Sequence, residues 1–215
     1  MIAARHIGML VVAVLCGGQL LAQTDANKTP PAAVAPANPW EFNLSVSGYD
    51  VPHGESYVSP AFTADHDTLH LEARYNYEGL RTGSLWAGYN LKAGKILEVT
   101  PMIGGVFGNV VGMAPGLEFT ATYKKLQLYS ANEYIFDTST KADNFFYTWT
   151  QLTYSPVPWF SAGYVVQRTR TFQTALDIQR GLLVEFTRKK VTFATQIFNP
   201  GEADPVLVFS LGYSF

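Results

Sequence analysis

Between Leu69 and Tyr75 the chain places His70, Glu72 and Arg74 at every second position. An imidazole, a carboxyl and a guanidinium at that spacing share one face if the segment is extended. Further polar groups sit in similar short runs: Glu98, Glu118, Glu133, Gln151, Gln167, Asp177 and Glu185. Such groups can pair with one another, or they can line a wet passage. Nucleophilic catalysis asks for more, namely a nucleophile, a base and an orienting group within hydrogen-bond reach. After residue 22 the only histidines are His53, His66 and His70, and no serine stands in a recognisable nucleophile motif. Asp50 with His53 is a weak acid–base candidate. Arg168, Arg170 and Arg180, with Phe172 beside the first two, form a basic cluster suited to an anionic sugar or phosphate. No ligand spacing around His53 or Glu55 suggests a metal. The only cysteine is Cys16, so thiolate sites are excluded from the rest of the chain. No metal or cofactor is expected.

The element that holds such residues is the β-strand. Over Thr68–Glu78, Leu69, Leu71, Ala73, Tyr75 and Tyr77 alternate with His70, Glu72, Arg74 and Asn76. One face is apolar and the other charged. Leu117, Phe119, Ala121 and Tyr123 alternate with Glu118, Thr120 and Thr122. Val191, Phe193, Thr195 and Ile197 alternate with Thr192, Ala194 and Gln196. The polar faces are rich in Ser, Thr, Gly and Asn rather than the Lys and Glu of a solvated sheet. Tyrosines cluster near strand ends on the apolar faces.

Composition agrees with a protein that is greasy outside and polar inside. The 215 residues include 15% charged and 14% aromatic residues, against about 25% charged in an ordinary soluble domain. A net charge of −2 gives nucleic acid no electrostatic hold. Residues 1–22 read as an export signal: Arg5 and His6, an apolar run from Ile7 to Leu15, then small residues with cleavage expected after Ala22. Cys16 raises a lipoprotein alternative, weakened by the large Leu15 before it. Residues 23–39 are Pro- and Ala-rich and read as an extended leader on the periplasmic side. No apolar run reaches the about 20 residues of a membrane helix.

The most specific signal is at the end. Phe209, Leu211, Tyr213 and Phe215 alternate with small residues up to a terminal Phe. This resembles the last-strand signal of bacterial outer-membrane β-barrel proteins. The resemblance implies an all-β fold for residues 40–215, a transmembrane antiparallel up-and-down barrel. It also implies outer-membrane lipids and lipopolysaccharide as surroundings, and the barrel-assembly machinery as a partner during biogenesis.

About twelve strands can be counted, at 40–50, 56–64, 67–78, 83–92, 95–107, 111–124, 125–137, 144–155, 158–169, 175–188, 190–199 and 205–215, with ten as the alternative. The second is weakest, because Pro60 removes a ladder donor. Even strand number with both ends in the periplasm requires keeping it. Counting back from Phe215 then places Lys92, Lys95, Lys124, Lys125, Lys189 and Lys190 in periplasmic turns. Asp50, Glu55, Glu78, Asp137, Asp143, Glu202 and Asp204 fall in outer loops. Pro101, Gly104, Gly105, Gly108 and Gly112 surround the third outer turn and read as bulges or wall curvature, with a mobile gate as the alternative.

On this register the lumen receives His70, Glu72, Arg74, Glu98, Glu118, Glu133, Gln151, Gln167, Asp177 and Glu185. Arg168, Arg170 and Arg180 lie near the outer rim. The expected function is a narrow passive channel for small polar solutes. A structural barrel plugged by paired charges is the alternative, and a lipid-modifying enzyme a lesser one. The His-x-Ser arrangement of the outer-membrane phospholipase is absent.

Overall fold

A computed structural model describes residues 40–139, 144–168 and 178–215. Alternating sequence becomes strand throughout. The first six segments are β1 (Glu41–Asp50), β2 (Tyr57–His66), β3 (Leu69–Tyr75), β4 (Thr82–Tyr89), β5 (Leu91–Ala93) and β6 (Leu97–Gly108). There follow β7 (Gly112–Tyr123), β8 (Leu126–Asp137), β9 (Phe145–Val157), β10 (Phe160–Arg168), β11 (Gln179–Arg188), β12 (Val191–Phe198) and β13 (Val206–Ser214). Each pairs antiparallel with its sequence neighbours, except that β4 and β5 both pair with β6 and not with each other, and β1 pairs with β13 from Asn43↔Ser214 to Asp50↔Leu207. That last pairing closes the sheet and leaves no open edge.

Thirteen segments make twelve walls. β4 and β5 both pair with β6 in one register, Gly88↔Met102 being followed by Leu91↔Val99. The break between them falls opposite Pro101, which has no N–H to donate. Asn90 bridges it through its side chain, Oδ1 accepting from the Thr100 hydroxyl on β6 at 2.6 Å. Pro60 acts similarly in β2. The β2–β3 ladder stops at Ala61↔Arg74. Beyond it Asn76 Nδ2 donates to the Val58 carbonyl at 2.9 Å. The strand the sequence made weakest is therefore kept, with an amide side chain replacing the missing ladder bond.

Asn76 also shortens β3. Its φ of 56° is left-handed and its Oδ1 accepts the Arg81 N–H at 2.6 Å. The expected strand to residue 78 ends at Tyr75, and the alternation breaks with it. Tyr77, expected on the apolar outer face, instead packs against the buried core.

Elsewhere parity holds. Leu85, Ile103, Met113, Leu117, Leu152 and Leu182 are exposed on the outer face. Exposed aromatics frame them at both strand ends: Tyr89, Tyr123, Tyr154, Tyr213 and Phe215 at one, Tyr75, Phe107, Phe136 and Phe146 at the other. An apolar band between aromatic girdles is what a barrel presents to a bilayer. The first end carries Phe215 and the two-residue turns at Asp67, Lys124 and Lys189, whose φ values are 53°, 56° and 57°. Tight turns and termini mark the periplasmic end, and Lys92, Lys95, Lys124, Lys125, Lys189 and Lys190 all lie there. The core sits inside the barrel, formed by inward residues of facing walls.

Candidate functional site in the barrel lumen

Parity on β3 sends His70, Glu72 and Arg74 inward together, and closure brings acids from distant walls to meet them. The Arg74 guanidinium donates to Glu72 at 2.6 Å, to Glu133 on β8 at 3.0 Å and to Glu118 on β7 at 3.1 Å. Glu78, from the β3–β4 loop, lies 3.5 Å away. Tyr77 and Trp86 present their rings to the same guanidinium, with centroids at 4.4 and 4.9 Å. One cation thus holds four carboxylates, with its side chain 1% exposed. Two lie at nearly ideal charge-assisted distance.

The network extends toward the periplasmic end. His70 lies 3.7 Å from Glu72 and shares a 2.8 Å hydrogen bond through Nδ1 with Asp65. Asp65 also accepts from Asn90 Nδ2 at 2.7 Å, and Asn90 accepts from Thr100 at 2.6 Å. Toward the outer end Glu78 accepts from Ser84 at 2.6 Å and from the Trp86 indole at 3.3 Å. Small residues make the space: a Cβ on Gly104 would stand 2.4 Å from the Trp86 ring, and one on Gly116 2.9 Å.

Above this layer rings and aliphatic groups project into the lumen. Tyr77 contacts Tyr147 across the barrel at 4.9 Å between centroids, Tyr49 stacks on Tyr57 at 4.4 Å, and Trp149 meets Phe198 at 5.8 Å. Ile135, Tyr147, Val165 and Phe198 are fully buried. Gln167 donates to the Tyr147 hydroxyl at 3.4 Å, and Asn199 donates to Gln179. Gln151 is buried on β9.

Other residues singled out by the sequence lie apart. Glu98 is near the periplasmic rim, 3.6 Å from Lys92. Glu185 is on the inward parity of β11 and half-buried, far from Arg74 in sequence and wall order. Arg168 and Arg180 are exposed at the outer end, on the outward parity of β10 and β11. Asp177 and Arg170, like Asp143, lie outside the described residues. Asp50 and His53 do not form a pair. His53 reaches Asp204 at 3.2 Å, and Asp50 accepts from Ser56.

Two acids expected in outer loops are buried, Glu78 within the β3–β4 loop and Asp137 as the last residue of β8. Glu78 is fully buried in the lumen network, because the turn at Asn76 redirects the chain inward. Asp137 is buried too, accepting from both the N–H and the hydroxyl of Ser139. Asp65, expected in a periplasmic turn, is part of β2 and faces inward. The sequence signal for Glu78 was Asn76 two residues earlier, a residue type that tolerates left-handed backbone.

No protein-family model matches the chain, and no curated protein sequence is similar to it. Solved structures do match. The KdgM porin, alone and in complex with disordered oligogalacturonate, aligns over 80% of this chain and 99% of its own, with TM-score 0.59 and 13% identity. The NanC porin aligns over 80% of this chain and 98% of its own, at 8% identity and TM-score 0.48. At such identity the KdgM likeness is one of fold. With the closed wall, the outward apolar band and its girdles, it makes this chain a bacterial outer-membrane β-barrel of twelve strands with a porin-like fold.

Proposed function

We propose that the barrel is a narrow passive channel for small polar solutes, and that it favours neutral and cationic solutes over anions. The supporting observation is the charge balance of the lumen. Asp65, Glu72, Glu78, Glu118 and Glu133 gather around His70 and Arg74. Excess carboxylate at a constriction raises the local concentration of cations and repels anions. The KdgM porin has been solved with oligogalacturonate, an acidic oligosaccharide. An acid-rich lumen argues for a different solute here.

Planar-bilayer recordings under a potassium chloride gradient test this. The expected result is discrete steps with a reversal potential displaced toward that of potassium. Glu72→Gln with Glu118→Gln should reduce the displacement. Anion selectivity in the unaltered protein overturns the proposal.

A second reading is a structural barrel with a filled lumen, supported by the ring contacts across it, Tyr77 on Tyr147 above all. It expects silence in the same recordings at several voltages. Tyr77→Ala with Tyr147→Ala should then create conductance where there was none. In an already open channel the pair should only enlarge the steps.

A further inference from the structure

At the periplasmic end a groove of about 550 Å³ opens on the outer surface between β10, β11 and β12. Its wall is Trp159, Phe186, Val191 and Phe193, and Arg188 stands at its margin. Trp159 stacks on Phe186 at 6.4 Å between centroids, and Phe160 braces Phe186 at 5.3 Å. Trp159 and Phe186 are 58% and 45% exposed, so the braced rings present their faces outward. Arg188, Lys189 and Lys190 follow one another at this margin.

The other periplasmic turns differ. Lys124 lies over the Tyr123 ring, Lys125 donates to the Pro156 carbonyl at 2.7 Å, and Lys92 is 3.6 Å from Glu98. Arg188, Lys189 and Lys190 have no acidic partner within ion-pair distance among the described residues. The nearest acid on β11, Glu185, is on the inward parity. Three cations therefore border an apolar groove at the height where lipid headgroups meet the barrel wall.

We infer that this groove binds an anionic glycerophospholipid of the inner leaflet, its acyl chain along Trp159, Phe186 and Phe193 and its phosphate on Arg188 with Lys189 and Lys190. Charge complementarity selects the occupant. A guanidinium fork matches a phosphate, and each basic residue near an anionic headgroup adds about 1 kcal/mol, about five-fold in affinity.

Native mass spectrometry of the protein purified from outer membranes tests the inference, with added phosphatidylglycerol, phosphatidylcholine or glycerol phosphate. Phosphatidylglycerol should be retained in preference to phosphatidylcholine, and glycerol phosphate should not compete. Arg188→Ser, Lys189→Ser and Lys190→Ser together should remove the preference. Lys124→Ser with Lys125→Ser, which changes net charge at another turn, should preserve it. Heat-modifiable migration on gels confirms that each variant is folded. Equal retention of the two lipids overturns the inference, as does equal loss in both variants, or competition by glycerol phosphate. Stronger phosphatidylglycerol binding after removal of residues 23–38 also overturns it, since that segment and not a lipid is then the native occupant.

Discussion

Arg74 has an environment that few arginines tolerate. Its guanidinium is enclosed by four carboxylates and two rings, with a side chain 1% exposed. Removing one partner of a buried ion pair leaves uncompensated charge and typically costs about 3–5 kcal/mol. Arg74→Met leaves Glu72, Glu78, Glu118 and Glu133 facing one another without their shared cation. We expect a loss of that size, read as a lowered urea midpoint for the detergent-folded barrel. Among the described residues, Glu78 Oε2, Glu133 Oε1, Arg74 Nε and His70 Nε2 are buried network atoms without a hydrogen-bond partner. His70, Glu72, Arg74, Glu118 and Glu133 were legible from spacing as inward residues, since strand parity puts each on the face opposite the apolar one. Glu78 was not, because it was placed in an outer loop, and the left-handed turn at Asn76 folds that loop into the lumen. No period in the sequence records that turn.

At the level of elements, prolines and glycines shape the wall without ending it. Pro101 interrupts a ladder whose register continues on either side, the β2–β3 ladder ends beside Pro60, and Asn90 and Asn76 supply side-chain hydrogen bonds at the two places. The glycines near the third outer turn divide by facing. Gly104 looks inward and makes room for the Trp86 ring, whereas a Cβ on Gly105 meets nothing within 4 Å. Gly104→Val should therefore overpack the lumen at a cost of about 1–3 kcal/mol. Gly105→Ala should leave thermal unfolding of the folded barrel nearly unchanged. A comparison of the two melting curves checks both. Equal effects at the two positions would mean that strand propensity, not space for Trp86, governs this segment. The ladders run through Gly104, Gly105 and Gly112 without a change of register, so the bulges expected at these glycines do not form there.

At the scale of the whole molecule, closure depends on the last strand meeting the first. Phe215 exchanges backbone hydrogen bonds with Phe42 at 3.1 and 3.0 Å, and its ring lies 5.4 Å from that of Phe42 and 5.7 Å from that of Tyr213. The same residues carry the alternating terminal pattern read as an assembly signal. Deleting Phe215 should reduce the fraction of heat-modifiable barrel recovered from outer membranes. Once folded, the variant should keep the selectivity of the unaltered protein, because Phe215 is half exposed and packs on Phe42 and Tyr213. Closure also explains why cross-lumen partners escape sequence reasoning. Arg74 and Glu133 are 59 residues apart and four walls apart, and only the circumference of twelve strands decides that they touch.

The sequence alone determined most of the strands and their facing, and a count of about twelve with ten as the alternative, because side chains two apart must share a face and a bilayer demands that one face be apolar. It also determined which end holds the lysines, since tight polar turns alternate with loops once the termini are placed. The tertiary structure alone decided which inward residues meet. Contact across a barrel depends on shear, ring size and the path of each loop, and none of these leaves a local period. It thereby gathered the acids around one arginine, buried Glu78 and Asp137, and packed Tyr77 against Tyr147.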